Sequence, residues 1–279
     1  MIVNVSILLF CSLCVAYAGL NAYALMRAHT LIFPVPPSSY EDNATIFKLT
    51  TRDGISISAY HLPASPSGGS SADLSRQLLI YSHGNGEDIG MAHPFLELFQ
   101  KRGISVLAFD YPGYGTSGGE PSEAGCYAAI EAAYAHAVGE LGYTPSSITL
   151  YGRSLGSGPS TWLAQREAVK GVILDGAFTS TFRVLTGIKL LPWDRFDNFA
   201  RLPDINCPIL LIHGTEDHTV PFTHAQRNWE RIGGPKQKLF IQGARHGNLI
   251  ELVGDRYWDT VTSFILDSEV RKQRSEARS

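Results

Sequence analysis

Hydrophobic positions along this chain follow three patterns, and each predicts a different kind of element. Residues 2–26 are almost continuously apolar and carry no charge, which is the pattern of a single long helix. "TIFKLTTRDGISISAYHL" alternates apolar and polar residues on either side of Asp53-Gly54, as two strands of a hairpin do. From "RQLLIYSHG" onward, short unbroken apolar runs alternate with longer stretches of helical spacing. The runs "LLIY", "ISVLAF", "ITLY", "VKGVIL", "PILLI" and "KLFI" read as strands buried on both faces. Between them, "MAHPFLELFQKRG", "EAGCYAAIEAAYAHAVGEL", "LGSGPSTWLAQRE" and "THAQRNWERIG" read as helices, with a last helix around "RYWDTVTSFILDSEV". A leading hairpin followed by repeated strand–helix units predicts an α/β fold, a mostly parallel doubly wound sheet with antiparallel first strands. Residues 179–206 have no clear period and predict a small cap of one or two short helices. Leu190, Leu191, Trp193 and Phe196 there are candidates for the pocket or for packing.

The pattern divides the chain into residues 1–27, a membrane anchor or signal segment; residues 28–268, one catalytic-sized domain; and residues 269–279, a short basic tail. The chain has 279 residues, 44% of them hydrophobic, enough for one large core. The net charge of −3 and the lack of basic runs give no footprint for nucleic acid. "PASPSGGSSADLSRQ" is a surface loop. Four cysteines show neither metal-ligand spacing nor a disulfide framework. Cys126 and Cys207 read as buried thiols, and Cys11 and Cys14 lie in the apolar segment.

That segment has two competing readings. Its length suits a bilayer, and the first basic residue, Arg27, follows it, which favours a retained single-pass anchor with the body on the cytoplasmic side. "AYAG" offers a small-x-small cleavage site after Ala18, which would make it a secretory signal and the mature protein secreted or periplasmic. A soluble core helix is the third possibility.

The chemistry gathers at strand ends, where open α/β sheets bind ligands. "YGRSLGSG" places Ser154 between Gly152 and Gly156, directly after a strand and before a helix. This is the G-x-S-x-G elbow, in which a sharp turn exposes a serine and side chains on the flanking glycines would clash. Pro159 falls early in the next helix, where it fits only if its missing N–H would have had no partner. A serine needs a base and an orienting acid. His246 in "GARHGN" and Asp217 in "GTEDHTVP" follow the last two strands, and Ser-Asp-His is the chain order of α/β-hydrolases. Asp175, at another strand end, is the rival acid; Glu216 should point elsewhere. His218 and His224 read as rim or structural residues, His213 as support for a turn, and His83 as a loop organiser. The oxyanion donors are expected to be the N–H groups of Leu155 and Asn85. Tyr111 in "FDYPGYGTSGG" either flanks the acyl pocket or packs a structural turn.

Taken together, "SHGNGEDIG", "FDYPGYGTSGG", "YGRSLGSG", "HGTEDHTVPF" and "ARHGNL" resemble the successive motifs of the small membrane-tethered α/β-hydrolase-domain serine hydrolases. That group includes protein depalmitoylases and bacterial homologues of unknown substrate. The resemblance spans residues 31–264 and implies the triad Ser154, Asp217 and His246. It also implies acyl-enzyme hydrolysis of carboxylic esters or thioesters, without metal or organic cofactor. The depalmitoylating members carry a cysteine-rich N-terminus, and this chain has only Cys11 and Cys14, so that substrate does not transfer. A serine peptidase would need a specificity domain or a larger cap. A non-catalytic ligand-binding member would not need the ordered triad.

Overall fold

The computed structural model describes residues 2–65 and 76–266. Most of the surface loop at 63–77, the basic tail, and the end of the last expected helix lie outside the described residues. The apolar segment forms one helix, α1 (Ile2–Ile32), which runs past residue 27. It stops where Phe33 is followed by Pro34, a residue that disfavours helix immediately before it.

The hairpin is β1 (Phe47–Thr50) and β2 (Ser56–Leu62). The antiparallel pair closes at Thr50 opposite Ser56. Its loop is five residues, 51–55, rather than a two-residue turn, with Gly54 at φ +78° in the left-handed region glycine favours.

Then come β3 (Leu78–Ser82), α2 (Ile89–Gln100), β4 (Ser105–Phe109), α3 (Glu123–Gly139), β5 (Ile148–Arg153), α4 (Ser157–Ala164) and β6 (Gly171–Asp175). The cap holds α5 (Thr181–Thr186) and α6 (Asn198–Arg201). After it come β7 (Ile209–Gly214), α7 (Phe222–Arg231), β8 (Lys236–Ile241), α8 (Leu249–Val253) and α9 (Asp255–Leu266). The expected last helix is α9; the short α8 before it, ended at Gly254 with φ +47°, was not expected.

The eight strands form one sheet in the order β1-β2-β4-β3-β5-β6-β7-β8, parallel from β4 to β8. Side chains alternate between two cores. Leu78 and Ile80 of β3 join Ile130 of α3 and Leu163 of α4 on one face. Leu79 and Tyr81 join Phe99 of α2 and Trp258 of α9 on the other. This double burial explains why the central strands read as unbroken apolar runs. The chain leaves β3 toward β4 on one side and returns to β5 on the other, so the order reverses between β3 and β5. Ligands bind at such a reversal, beyond the carboxyl ends of the strands. The loop after β3 and the turn after β5 meet there.

Candidate active site

Ser154 is the residue after β5 and has φ +49°. A non-glycine residue held in this region is strained, and such strain persists only where the surroundings impose it. The neighbours do so. A Cβ on Gly152 would lie 2.5 Å from Gly156 O, and one on Gly156 would lie 2.0 Å from Ser82 O in β3. Both positions are therefore closed to any side chain. One 3-10 turn over Ser154–Gly156 leads into α4, and Ser157 Oγ donates to Ser154 O at 2.6 Å. Pro159 is the third residue of α4, where the N–H of a helix has no partner inside the helix.

His246 stands in the turn between β8 and α8. Its Nδ1 donates to Asp217 Oδ2 at 2.6 Å. Among the described residues no hydrogen bond reaches its Nε2. Asp217 is buried after β7, and its Oδ1 accepts from Thr219 N at 2.9 Å and Val220 N at 2.8 Å. Burial pushes the Asp217 carboxyl up, but the His246 hydrogen bond and charge outweigh it and hold the group below the usual carboxylate range. His213, buried below, donates from Nε2 to Val220 O at 2.8 Å and so braces the acid's loop. Glu216 and His218 are exposed. Asp175 is buried at the end of β6, where its Oδ2 accepts from Tyr151 OH at 2.6 Å. Burial pushes its carboxyl up. Asp217, not Asp175, makes the contact with the imidazole.

Sequence reasoning missed Gly176. With φ +63°, its Cα faces the His246 ring, and a Cβ there would lie 2.7 Å from Cε1. The imidazole rests on bare backbone, a role that one glycine among 27 does not advertise. Glu87 was also missed. Its Oε1 accepts from Gly84 N at 2.8 Å and lies 3.7 Å from Arg153 Nε, so it ties the loop after β3 to the residue before Ser154.

In that loop Asn85 lines a cavity of about 160 Å³ together with Ser154 and Leu155. Among the described residues the backbone N–H groups of Asn85 and Leu155 have no hydrogen-bond partner. Two other polar atoms of Asn85 are occupied: Nδ2 donates to Ile32 O at 3.1 Å, and the backbone carbonyl accepts from Tyr114 OH at 3.0 Å. The rest of the cavity wall is mostly apolar, supplied by Leu31 and Ile32 of α1, Phe178 after β6, Phe182 and Val184 of the cap, and Val220, with Thr181 and Thr219 between them.

One sequence expectation is corrected. Tyr111 does not flank the pocket. It is fully buried behind the loop, its hydroxyl donating to His83 O at 2.8 Å and its ring 4.2 Å from the His83 ring. Of the two readings of the cap candidates, the pocket one is not met: none of the four lines the cavity. Phe196 is buried against Gly158 and Phe33, Leu191 is buried, Leu190 is exposed, and Trp193 packs edge-on against Phe182. His83 is buried, donates from Nδ1 to Gly84 O at 2.7 Å, and lies 3.3 Å from Asp110 Oδ1. Burial opposes its charged form, but Asp110 outweighs burial and raises its pKa.

Comparison with known proteins places the fold. The family model described as alpha/beta hydrolase fold matches residues 77–196. Human alpha/beta hydrolase domain-containing protein 17B is 34% identical over 231 residues, covering 82% of this chain and 77% of that protein. The protein 17C of Xenopus laevis is 34% identical over 227 residues, covering 80% and 70%. The chain belongs to the alpha/beta hydrolase domain-containing protein 17 family. Among solved structures, an esterase of Pyrococcus furiosus superposes with a TM-score of 0.67 at 20% identity, covering 83% of this chain and 98% of that one. An esterase of Exiguobacterium antarcticum gives 0.58 at 18% identity, covering 78% and 98%. At these identities the two esterases share the fold of the 17 family.

One titration follows from a buried histidine between α7 and the residue that opens the cap. His224 of α7 accepts at Nδ1 from Thr179 N at 3.2 Å, and burial pushes its pKa down to about 4. The unfolded chain takes up that proton near pH 6.5 and the folded chain only near 4. Stability therefore falls as pH drops through this window and levels off below it. A melting series from pH 7 to 4 should show this fall. His224→Asn, whose Oδ1 can take the Thr179 N–H, should flatten it.

Proposed function

We propose that this protein is a serine hydrolase of carboxylic esters or thioesters. The observation that carries the reading is the 2.6 Å contact between His246 Nδ1 and Asp217 Oδ2, at the same sheet edge as a strained Ser154. Ser154 Oγ attacks the acyl carbonyl. His246 takes its proton through Nε2 and returns it to the leaving alcohol or thiol. Asp217 fixes the imidazole tautomer and stabilises its charged form. The N–H groups of Asn85 and Leu155, both on the cavity, hold the tetrahedral oxyanion. Water then attacks the acyl-enzyme by the same route.

The apolar wall speaks for an aliphatic acyl group. A cavity of about 160 Å³ is in the class of an engineered 150 Å³ cavity that takes up benzene, which suggests room for about six carbons. The cap is only two short helices, so the remainder of a long chain or leaving group stays outside.

We further read α1 as a membrane anchor. Val5–Ile32 is apolar enough to cross a bilayer, and the protein body buries none of that window's most apolar stretch. The full chain is expected to sediment with membranes and resist carbonate extraction. It should also hydrolyse p-nitrophenyl esters and acyl-thioesters, with a rate that depends on acyl length. No turnover across both series would overturn the catalytic reading, and a soluble full chain would overturn the anchor.

A further inference from the structure

We propose that a second cavity, on the other face of the sheet from the acyl cavity, holds the leaving group, and that Arg153 in its wall selects esters or thioesters whose leaving group carries a carboxylate. The proposal rests on the serine-hydrolase reading above and adds the leaving-group class to it. The second cavity measures about 260 Å³. It is bordered by Arg153 at the end of β5, Asp175 at the end of β6, His246 after β8 and Tyr257 of α9. Phe95 of α2 and Leu249 of α8 add apolar surface.

Strand geometry sets the two cavities apart. Successive side chains of a strand point to opposite faces. Tyr151 and Arg153 of β5 therefore share a face, the one on which Tyr151 joins Phe99 of α2 and Trp258 of α9. Leu155, Phe178 and Phe182 of the acyl cavity belong to the other core. Ser154 borders the first cavity and His246 the second. Acyl transfer requires this division. The acyl group stays on the serine, while the leaving oxygen or sulfur takes the proton of His246 Nε2 as its bond to the acyl carbon breaks. The leaving group therefore departs on the His246 side. At the scale of benzene in a 150 Å³ cavity, about 260 Å³ takes roughly ten non-hydrogen atoms.

Arg153 sets the chemistry of that group. Its side chain is 31% exposed, and its Nε lies 3.7 Å from Glu87 Oε1, too far for a hydrogen bond. Among the described residues the guanidinium makes no hydrogen bond. Five N–H donors in a rigid fork thus border the cavity without an acceptor, and a carboxylate matches that fork. The neighbouring acids do not take its place. Glu87 is outside the cavity wall. Asp175 Oδ2 accepts from Tyr151 OH at 2.6 Å, and burial pushes its carboxyl up, which weakens its negative charge. Glu251 at the cavity's edge is exposed, where water screens it. An ammonium on the leaving group would face Arg153 with like charge. A phosphate dianion would set a second negative charge beside Asp175 and Glu251, which one arginine does not balance.

The test uses the full chain in detergent micelles and follows thiol release. Three butyryl thioesters are compared, with mercaptopropionate, mercaptopropionamide and thiocholine as leaving groups. Wild type should favour the carboxylate over the amide by about tenfold or more in kcat/KM, the scale of one hydrogen bond to a charged group. It should turn over the thiocholine ester most slowly. In Arg153→Gln the preference should fall to about twofold or less, through a higher KM for the carboxylate, because that contact is made before and during acyl transfer alike. Arg153→Lys, which keeps the charge, should restore part of the preference. A wild type that turns over the carboxylate no faster than the amide overturns the leaving-group site and leaves the hydrolase reading standing, and this result needs no variant to fold. An Arg153→Gln enzyme that keeps the preference, or that loses kcat equally on all three thioesters, also overturns the site. A wild type that cleaves neither these thioesters nor p-nitrophenyl butyrate overturns the hydrolase reading itself.

Discussion

Ser154→Ala should reduce ester hydrolysis by about 10⁶, the scale on which a serine hydrolase loses rate when its nucleophile is removed. The fold should not suffer. Serine and alanine pay the same strain at φ +49°, since both carry a Cβ in the left-handed region. The serine hydroxyl makes none of the described hydrogen bonds. The backbone carbonyl that accepts from Ser157 Oγ at 2.6 Å is unaffected by the change. Thermal melting of the variant should therefore match the wild type while turnover of p-nitrophenyl esters vanishes. An intact fold that kept a substantial part of its activity would move the nucleophile elsewhere.

Asp217→Asn should cost about 10⁴ in rate, and the local hydrogen bonds give the reason. The Asn Oδ1 would still accept from the N–H groups of Thr219 and Val220, as Asp217 Oδ1 does at 2.9 and 2.8 Å. The amide NH₂ would then face His246 Nδ1, where the carboxylate now accepts at 2.6 Å. A donor in that place forces the imidazole proton onto Nε2. The ring could no longer take the serine proton. Asp175→Asn is the matched comparison. Its partner is the Tyr151 hydroxyl at 2.6 Å, which an amide oxygen can still accept, so the rate should change by less than tenfold. Steady-state rates of the two variants on one ester check the ranking. The reverse order would place the orienting acid on β6.

Much of this was readable before any coordinates. The central strands are apolar throughout because helices cover both faces of the sheet, and β1 alternates because it forms the edge. The elbow glycines announce themselves because two close backbone approaches, one to Gly156 O and one to Ser82 O, leave no residue but glycine. Asp217 and His246 were legible from their place after the last strands. What stayed hidden depends on contacts far apart in the chain. Nothing near Tyr111 says that its hydroxyl turns inward to His83 O. Gly176 matters only because a ring 70 residues later lies against it. The cavity wall joins the end of α1 to α5, and neither carries a local mark of that meeting. The irregular cap offered several aromatic and aliphatic candidates, and packing sent Phe196 to the core and Phe182 to the pocket.

The central claim is that Ser154 is activated for attack by the His246–Asp217 pair. It is tested most directly by treating the full chain with a fluorophosphonate and locating the adduct by peptide mass spectrometry. One phosphonyl group on the peptide containing Ser154 is the predicted result, with labelling lost in Ser154→Ala and slowed in Asp217→Asn. An adduct on another residue, or no adduct from a preparation that hydrolyses esters, would contradict it.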